Sequence, residues 1–528
     1  MASMITFTLC ASLADKPPVQ PKARGASYPW RTKIQILVCS ASSRVAFLLC
    51  LAVCGFPLWA HSQTPPSPPS ASLLARYGFA DEDAGYLLFD LSNGKALETH
   101  RPLIARIPAS TAKVVTTVAA LQILGAEYRF TTTLLTTGEL RNGVLTGSVY
   151  LRGGGDPTLS TDDLREFVVA LQKTGVKRVS GEFVFDESFL PTTPAIDSAQ
   201  PLAVSYNPGL SALSVNYNRI VMRWRHKPNA PAFTATILSP ADGGTVPVKD
   251  ITVGSLSVPL DRRIKFVPDG ATLDRWLLSP TLPPRGEIDL PVKKDPGRLT
   301  ALLFRTMCQQ RGITLPLPKS GIAPNHAQSI QEIHSAPLPE VITQVLRYSN
   351  NLSAELIGQT TTRTLLGEAV QLTTSAATIS NWYQKTLSGI DWRDFHSLNH
   401  SGLSSLTRHT PQQLADILRY AWTIRPAGVK FSDLLSPPHW SKETEPIRSM
   451  VRAKSGTMSY ADGLIGYLTT ARGQQLGFVI LLTDFSRRAA FDATFEVRIA
   501  ETPPEARTWT DRAKAFEQAL VTRWVTQY

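Results

Sequence analysis

The hydrophobic pattern of the chain changes character twice, and this constrains its fold most. Between about residues 128 and 295, short β-like runs (130–135, 144–151, 183–185, 220–224 and 233–238) alternate with turns rich in Gly, Pro or Asp. One helical stretch, 162–175, interrupts them. Before this region, residues 84–90 and 96–100 read as a hairpin about Asn93-Gly94, followed by a helix ending near Gly125. After it come helical patterns at 297–310, 338–366, 372–387 and 411–422, then strands at 448–454, 463–470 and 475–483. An amphipathic helix, 509–526, closes the chain. Strands with flanking helices at both ends, around a β-rich middle, imply an α/β (α+β) domain split by a large insertion. On this reading residues 72–130 and 296–528 form the split domain, and 131–295 form an inserted module of one or two subdomains.

Residues 1–62 read as a leader. Val45 to Trp59 is an apolar run preceded by Arg44 and followed by the small-residue stretch Ala60-His61-Ser62. It is too short to span a bilayer comfortably, so it reads as the apolar core of a secretory signal at about 44–62. The residues upstream of it read as a long signal N-region or as sequence before a later start. Cys54 lacks the small preceding residue that a lipidated cysteine wants. A Pro/Ser spacer, 63–71, follows.

Net charge is +12, but residues 1–62 hold six Lys/Arg against one acid, leaving 48 against 41 over the rest. No basic block or aromatic-interleaved basic stripe supports nucleic-acid binding. Four of the five cysteines (Cys10, Cys39, Cys50, Cys54) lie in the leader, so Cys308 can form neither an internal disulfide nor a multi-cysteine metal site in the mature chain. It reads as a core residue. His396 and His400 have metal-like spacing, but no Glu follows His396, and Asn399 and Gly402 argue against a continuous helix. They read as ordinary histidines. Gly153-Gly154-Gly155-Asp156-Pro157 reads as a tight turn, because Pro157 disfavours the helix start that a phosphate loop needs.

Ser110 and Lys113 stand three apart at a helix start marked by Pro108, so they share one face. The serine's neighbouring N–H groups suit an oxyanion. Lys113 can act as a base only if burial or a second cation keeps it neutral. Taken alone, the pair is more simply a helix serine beside a solvated lysine. A second Ser-x-x-Lys, Ser92 to Lys95, falls on the Asn93-Gly94 turn, where the two side chains share no helical face. Two further features join Ser110. Ser349 and Asn351, in Tyr348-Ser349-Asn350-Asn351, can reach one cleft if the backbone there is not regular helix. Lys454-Ser455-Gly456-Thr457, at the end of a strand, suits carboxylate recognition, with Gly456 permitting close backbone approach and Thr457 N–H available as a second oxyanion donor.

Ser-x-x-Lys, Ser-x-Asn and Lys-Ser-Gly, in that order, resemble the set shared by penicillin-binding proteins and serine β-lactamases. The long gap between Ser110 and Ser349 is similar to that of the class C low-molecular-mass penicillin-binding proteins, the D-alanyl-D-alanine carboxypeptidases/endopeptidases. Gly154-Gly155-Asp156-Pro157-Thr158-Leu159, the stretch 207–216 and Ser401-Gly402-Leu403-Ser404 resemble that family too. Departures are Ser455 where Thr is commoner, Asn350 where Asp is frequent, and Asn399-His400 where Asp-Gly is usual. The neighbours His400 and Ser401 do not form a Ser–His pair, since adjacent residues seldom point into one site.

The resemblance implies a β-lactamase/transpeptidase-like fold and a periplasmic, penicillin-binding serine peptidase acting on peptidoglycan stem peptides. It implies Ser110 as nucleophile, Lys113 as base, and Ser349 with Lys454 as proton relay. Asn351 would position the substrate amide, and Lys454, Ser455, Gly456 and Thr457 would bind the carboxylate. No metal or organic cofactor, no nucleic acid and little membrane association after signal cleavage are implied. A serine β-lactamase and a silent wall-binding protein are the alternatives. The large insertion disfavours the first and the full motif set the second.

Overall fold

The computed structural model describes residues 69–226, 233–242, 244–257, 264–267, 273–440, 444–494 and 502–528. The leader and signal reading therefore lie outside the described residues, as does most of the spacer. Its last residues already begin a helix, Pro69–Arg76.

The expected hairpin forms as Ala84–Asp90 and Ala96–His100. It joins the three strands from the far end of the chain in one antiparallel sheet. The order is Val451–Met458, Ala461–Thr469, Gln475–Thr483, Ala84–Asp90, Ala96–His100. Alternate residues of a strand face opposite sides. Leu87, Phe89, Ile465, Tyr467, Val479 and Leu481 pack on one side against helices Ala112–Leu124, Leu338–Tyr348 and Pro411–Ile424. Tyr86, Leu88, Leu464, Phe478 and Ile480 pack on the other against Trp509, Phe516 and Trp524 of the C-terminal helix Pro504–Gln527. The sheet is covered on both faces, which explains near-continuous apolar runs such as 476–482. Helix Ala112–Leu124 is deeply enclosed: every residue from Ala112 to Leu121 is buried, Lys113 included.

The pattern at 338–366, read as one helix, is two. Ser349 takes a left-handed conformation (φ 56°, ψ 34°) and ends the first helix. Asn350 caps the second, Asn351–Leu366, its side chain accepting the Ser353 N–H at 3.0 Å. An asparagine offers the backbone this local alternative to continuing a helix. The strand expected from 448 starts at Val451 and runs through the Lys-Ser-Gly motif to Met458, after a short helix, Glu445–Ser449.

The β-rich stretch builds a second five-stranded sheet, ordered Pro318–Ser320, Phe183–Asp186, Val149–Arg152, Thr131–Thr136, Gln328–His334. Smaller sheets carry Arg219–Arg225 and Arg275–Leu278. The run 144–151, read as one strand, splits into Val144–Leu145 and Val149–Arg152, which belong to different sheets. Helix Pro296–Gln310 packs into this part's core through Leu299, Leu303 and Phe304, with Cys308 buried beside them. The inserted stretch was expected to end at 295. Beyond that point, strands 318–320 and 328–334 pair with Phe183–Asp186 and Thr131–Thr136.

Trp524 is fully buried, and its Nε1 donates to Glu98 Oε2 at 3.0 Å, tying the last helix to the hairpin. Trp524→Ala is expected to cost about 3–5 kcal/mol of stability, read by denaturant unfolding.

Candidate active site

Ser110 sits on a single 3-10 turn, Ala109–Thr111, that leads directly into helix Ala112–Leu124. Ala109 takes a positive φ of 45°, unfavourable for a residue with a side chain. The turn is clamped from two sides. A Cβ on Gly456 would meet Pro108 O and Thr111 N at 2.7 Å and Ser110 N at 2.8 Å. A Cβ on Gly402 (φ 74°) would meet Ala109 O at 1.9 Å. Thr111 Oγ1 also donates to Pro108 O at 2.7 Å.

The Lys113 side chain returns to Ser110, as their spacing predicts. Its Nζ lies 2.9 Å from Ser110 Oγ, 2.7 Å from Asn351 Oδ1 and 2.9 Å from the Ser401 carbonyl oxygen. Lys113 is 0% exposed. Burial is the main cause holding its pKa well below the lysine range; Lys454 pushes the same way by like charge and Glu355 opposes. An amine so held has a lone pair to take the proton of a hydroxyl in contact with it.

Across the cleft, Lys454 Nζ lies 3.0 Å from Ser349 Oγ and also donates to the Ser455 carbonyl. Burial lowers its pKa to about 7. The helix break at Ser349 is what turns this hydroxyl toward Lys454 while Asn351, two residues on, faces Lys113. The Asn351 carboxamide is engaged at both ends, since its Nδ2 donates to Tyr206 O at 3.0 Å. Ser110, Ser349, Asn351 and Thr457 line one cleft of about 570 Å³, with Gln200 and Tyr206 from the inserted stretch. Ser455 is exposed and is not among the lining residues.

The other features singled out in the sequence lie elsewhere. Ser92 donates to Asp90 on the hairpin turn, and the Lys95 N–H donates to Asn93 Oδ1 at 2.7 Å. Asp156 forms its own turn, accepting from Thr158 N at 2.8 Å. His396 contacts the Leu406 carbonyl, whereas His400 is buried with Nε2 2.8 Å from Ser375 Oγ. Sequence reading missed three contributors: the Ser401 carbonyl, the Gln200–Tyr206 wall and Glu355. Only Glu355 carried a signal, as the one acid of the helix Asn351–Leu366, four residues after Asn351.

A serine hydroxyl facing a desolvated lysine beside an antiparallel sheet, with a Lys-Ser-Gly edge strand across the cleft, defines a penicillin-recognising serine hydrolase. The family model described as D-Ala-D-Ala carboxypeptidase 3 (S13), Peptidase_S13, matches residues 71–498, and the chain belongs to this family. It is 25% identical over 454 residues to a D-alanyl-D-alanine carboxypeptidase of Actinomadura sp. (strain R39), covering 79% of this chain and 81% of that protein. It is 24% identical over 434 residues to the carboxypeptidase DacB of Haemophilus influenzae, covering 76% and 86% respectively. The crystal structure of penicillin binding protein 4 (dacB) from Haemophilus influenzae superposes with a TM-score of 0.71 at 19% identity, over 87% of this chain and 100% of that one. That protein is also known in complex with a β-lactam.

Gly456→Ala is expected to push the Ser110 turn out of place, because the atoms it would meet are backbone. The measurable results are a loss of about 1–3 kcal/mol in unfolding free energy and a lower Ser110 reactivity toward acylating reagents.

Proposed function

We propose that the mature chain is an exported serine D-Ala-D-Ala carboxypeptidase acting on peptidoglycan stem peptides, and that it binds penicillin. The observation that carries this reading is the desolvated Lys113 amine 2.9 Å from Ser110 Oγ. Lys113, neutral, takes the Ser110 proton as the oxygen attacks the carbonyl between two D-alanines. The negative charge that develops on the carbonyl oxygen is held by the backbone N–H groups of Ser110 and Thr457, which the Gly456 contact makes neighbours. Ser349, backed by Lys454, relays the proton that Lys113 took from Ser110 on to the leaving amine as the C–N bond breaks, which returns Lys113 to its neutral form. Lys454 and Thr457 receive the terminal carboxylate, with Gly456 allowing the close approach; Ser455, expected to share this role, is exposed and does not line the cleft. Water then hydrolyses the ester: Lys113, neutral again, takes a proton from the attacking water and returns it to Ser110 Oγ as the ester C–O bond breaks. Asn351 aligns Lys113 in the free enzyme, and its amide is placed to meet the substrate amide once Tyr206 O is released.

Export is supported by the signal-type run at 45–59 and by a substrate that lies outside the cytoplasm. Among the described residues no helix is long and apolar enough to cross a membrane.

A fluorescent penicillin is expected to give a slowly released adduct on the wild type and none on Ser110→Ala. Rapid turnover instead indicates a β-lactamase, and no adduct on the wild type counts against the reading. Products of muropeptide digestion, weighed by mass spectrometry, are expected to lack one terminal alanine.

Acylation needs neutral Lys113, so its rate should rise as pH climbs through the depressed Lys113 pKa. Protonated Lys454 disfavours a second ammonium nearby. Lys454→Gln removes that repulsion, raises the Lys113 pKa and should move this limb to higher pH by up to about one unit. The pH profile of penicillin acylation checks the sign.

A further inference from the structure

Glu355 stands four residues beyond Asn351 on the same helix and is 0% exposed. A buried carboxylate is tolerated only when its oxygens are bonded. One oxygen accepts the His400 N–H at 2.7 Å and the other the Ser401 N–H at 2.9 Å. The Ser401 carbonyl in turn meets Lys113 Nζ at 2.9 Å. This helix thus holds the Lys113 amine twice, directly through Asn351 and at one remove through Glu355.

We infer that Glu355 is a positioning residue: its carboxylate holds the 400–401 backbone so that Ser401 O meets Lys113 Nζ, and its charge is the counterion against which Lys113 titrates. The inference rests on the serine-peptidase reading above and deepens it.

The loop has other fixings, but none of them supplies a charge. Thr116 Oγ1 donates to His400 O at 2.9 Å. The His400 ring leaves no room for a side chain on Gly358, where a Cβ would come within 2.1 Å of it. Helix Leu372–Thr386 contributes the Ser375 hydroxyl on the far side of that ring. The groups facing Glu355 that can carry charge are Lys113 from helix Ala112–Leu124, with Lys454 of the edge strand beyond it, and His400 from the loop. Burial keeps His400 neutral down to about pH 3. Burial likewise pushes the Glu355 pKa up to about 7, against the pull of the Ser401 hydroxyl, the two backbone N–H groups and Lys113. The sign follows. Ionised Glu355 favours the ammonium form of Lys113, and a neutral group in its place favours the amine.

The test is the pH profile of Ser110 acylation by a fluorescent penicillin, measured on the mature chain with a thermal melt of each variant. Glu355→Gln keeps the shape, removes the charge and keeps one of the two backbone bonds, since its amide nitrogen cannot accept an N–H. The acid limb is expected to move to lower pH by about one unit or more, opposite in direction to Lys454→Gln. Glu355→Ala also removes the anchor and should slow acylation by about 10- to 100-fold at the optimum. Glu355→Asp keeps the charge with shorter reach, so its limb should stay in place while its maximal rate falls. A Glu355→Gln profile that superposes on the wild type, or is only scaled down with a lower melting temperature, overturns the counterion role. A full wild-type rate in both Glu355→Asp and Glu355→Ala overturns the positioning role. A wild type that gives no adduct overturns the serine-peptidase reading, and this inference with it.

Discussion

An ammonium group removed from water costs several kcal/mol unless it is paired or gives up its proton. Lys113 is in that situation, on a deeply buried helix, with three oxygens around its amine. Two of these, from Asn351 and Ser401, are hydrogen-bond acceptors that fix where the nitrogen sits. The third is the hydroxyl of Ser110. The burial thus favours the neutral amine, whose lone pair stands beside that hydroxyl, at the expense of proton affinity. The second buried amine, Lys454, adds like-charge repulsion without touching Lys113.

Bringing these groups together depends on the way the sheet closes. Strand Ala84–Asp90 pairs with Gln475–Thr483, so the beginning and end of the mature fold share one sheet. Ser110 follows the N-terminal hairpin, and Lys454 lies on the edge strand contributed by the C-terminal end. Their approach is limited by the thickness of two backbones. Gly456 on the strand and Gly402 on the loop meet that limit by having no side chain, and Ala109 by adopting an unfavourable φ. The inserted stretch is more than a spacer between motifs. Through Tyr206 O it fixes Asn351, and through Gln200, whose amide donates to Leu403 O at 3.2 Å, it abuts the loop that carries Ser401.

Local pattern was readable where local physics decides. Asn93-Gly94 marked its hairpin turn, although the connection is the longer loop 91–95, in which Gly94 takes a φ of 77° and its N–H donates to Asp90 O; both strands formed where alternation and apolar content placed them. The strand 475–483 was legible because it is apolar and buried on both faces. Strands Pro318–Ser320 and Gln328–His334 were missed for the opposite reason. One is three residues long and the other mostly polar and exposed, so each is a strand only because a partner edge awaits it. The break at Ser349 was hidden inside a run with good helical periodicity, and only the Asn350 cap and the left-handed Ser349 end it.

The sequence by itself determined the chemical repertoire and its order: a serine and lysine one helical turn apart, a hydroxyl and amide two apart, and a lysine followed by a glycine that permits close contact. These depend on residue type and spacing, which the chain carries wherever it goes. Tertiary structure alone decided how fully the Ser110–Lys113 pair was enclosed, which carbonyl met the amine, and that a glutamate lay behind it. The reason is that proton affinity in a protein interior is set by desolvation and by charges a few ångströms away, and those neighbours come from parts of the chain hundreds of residues apart.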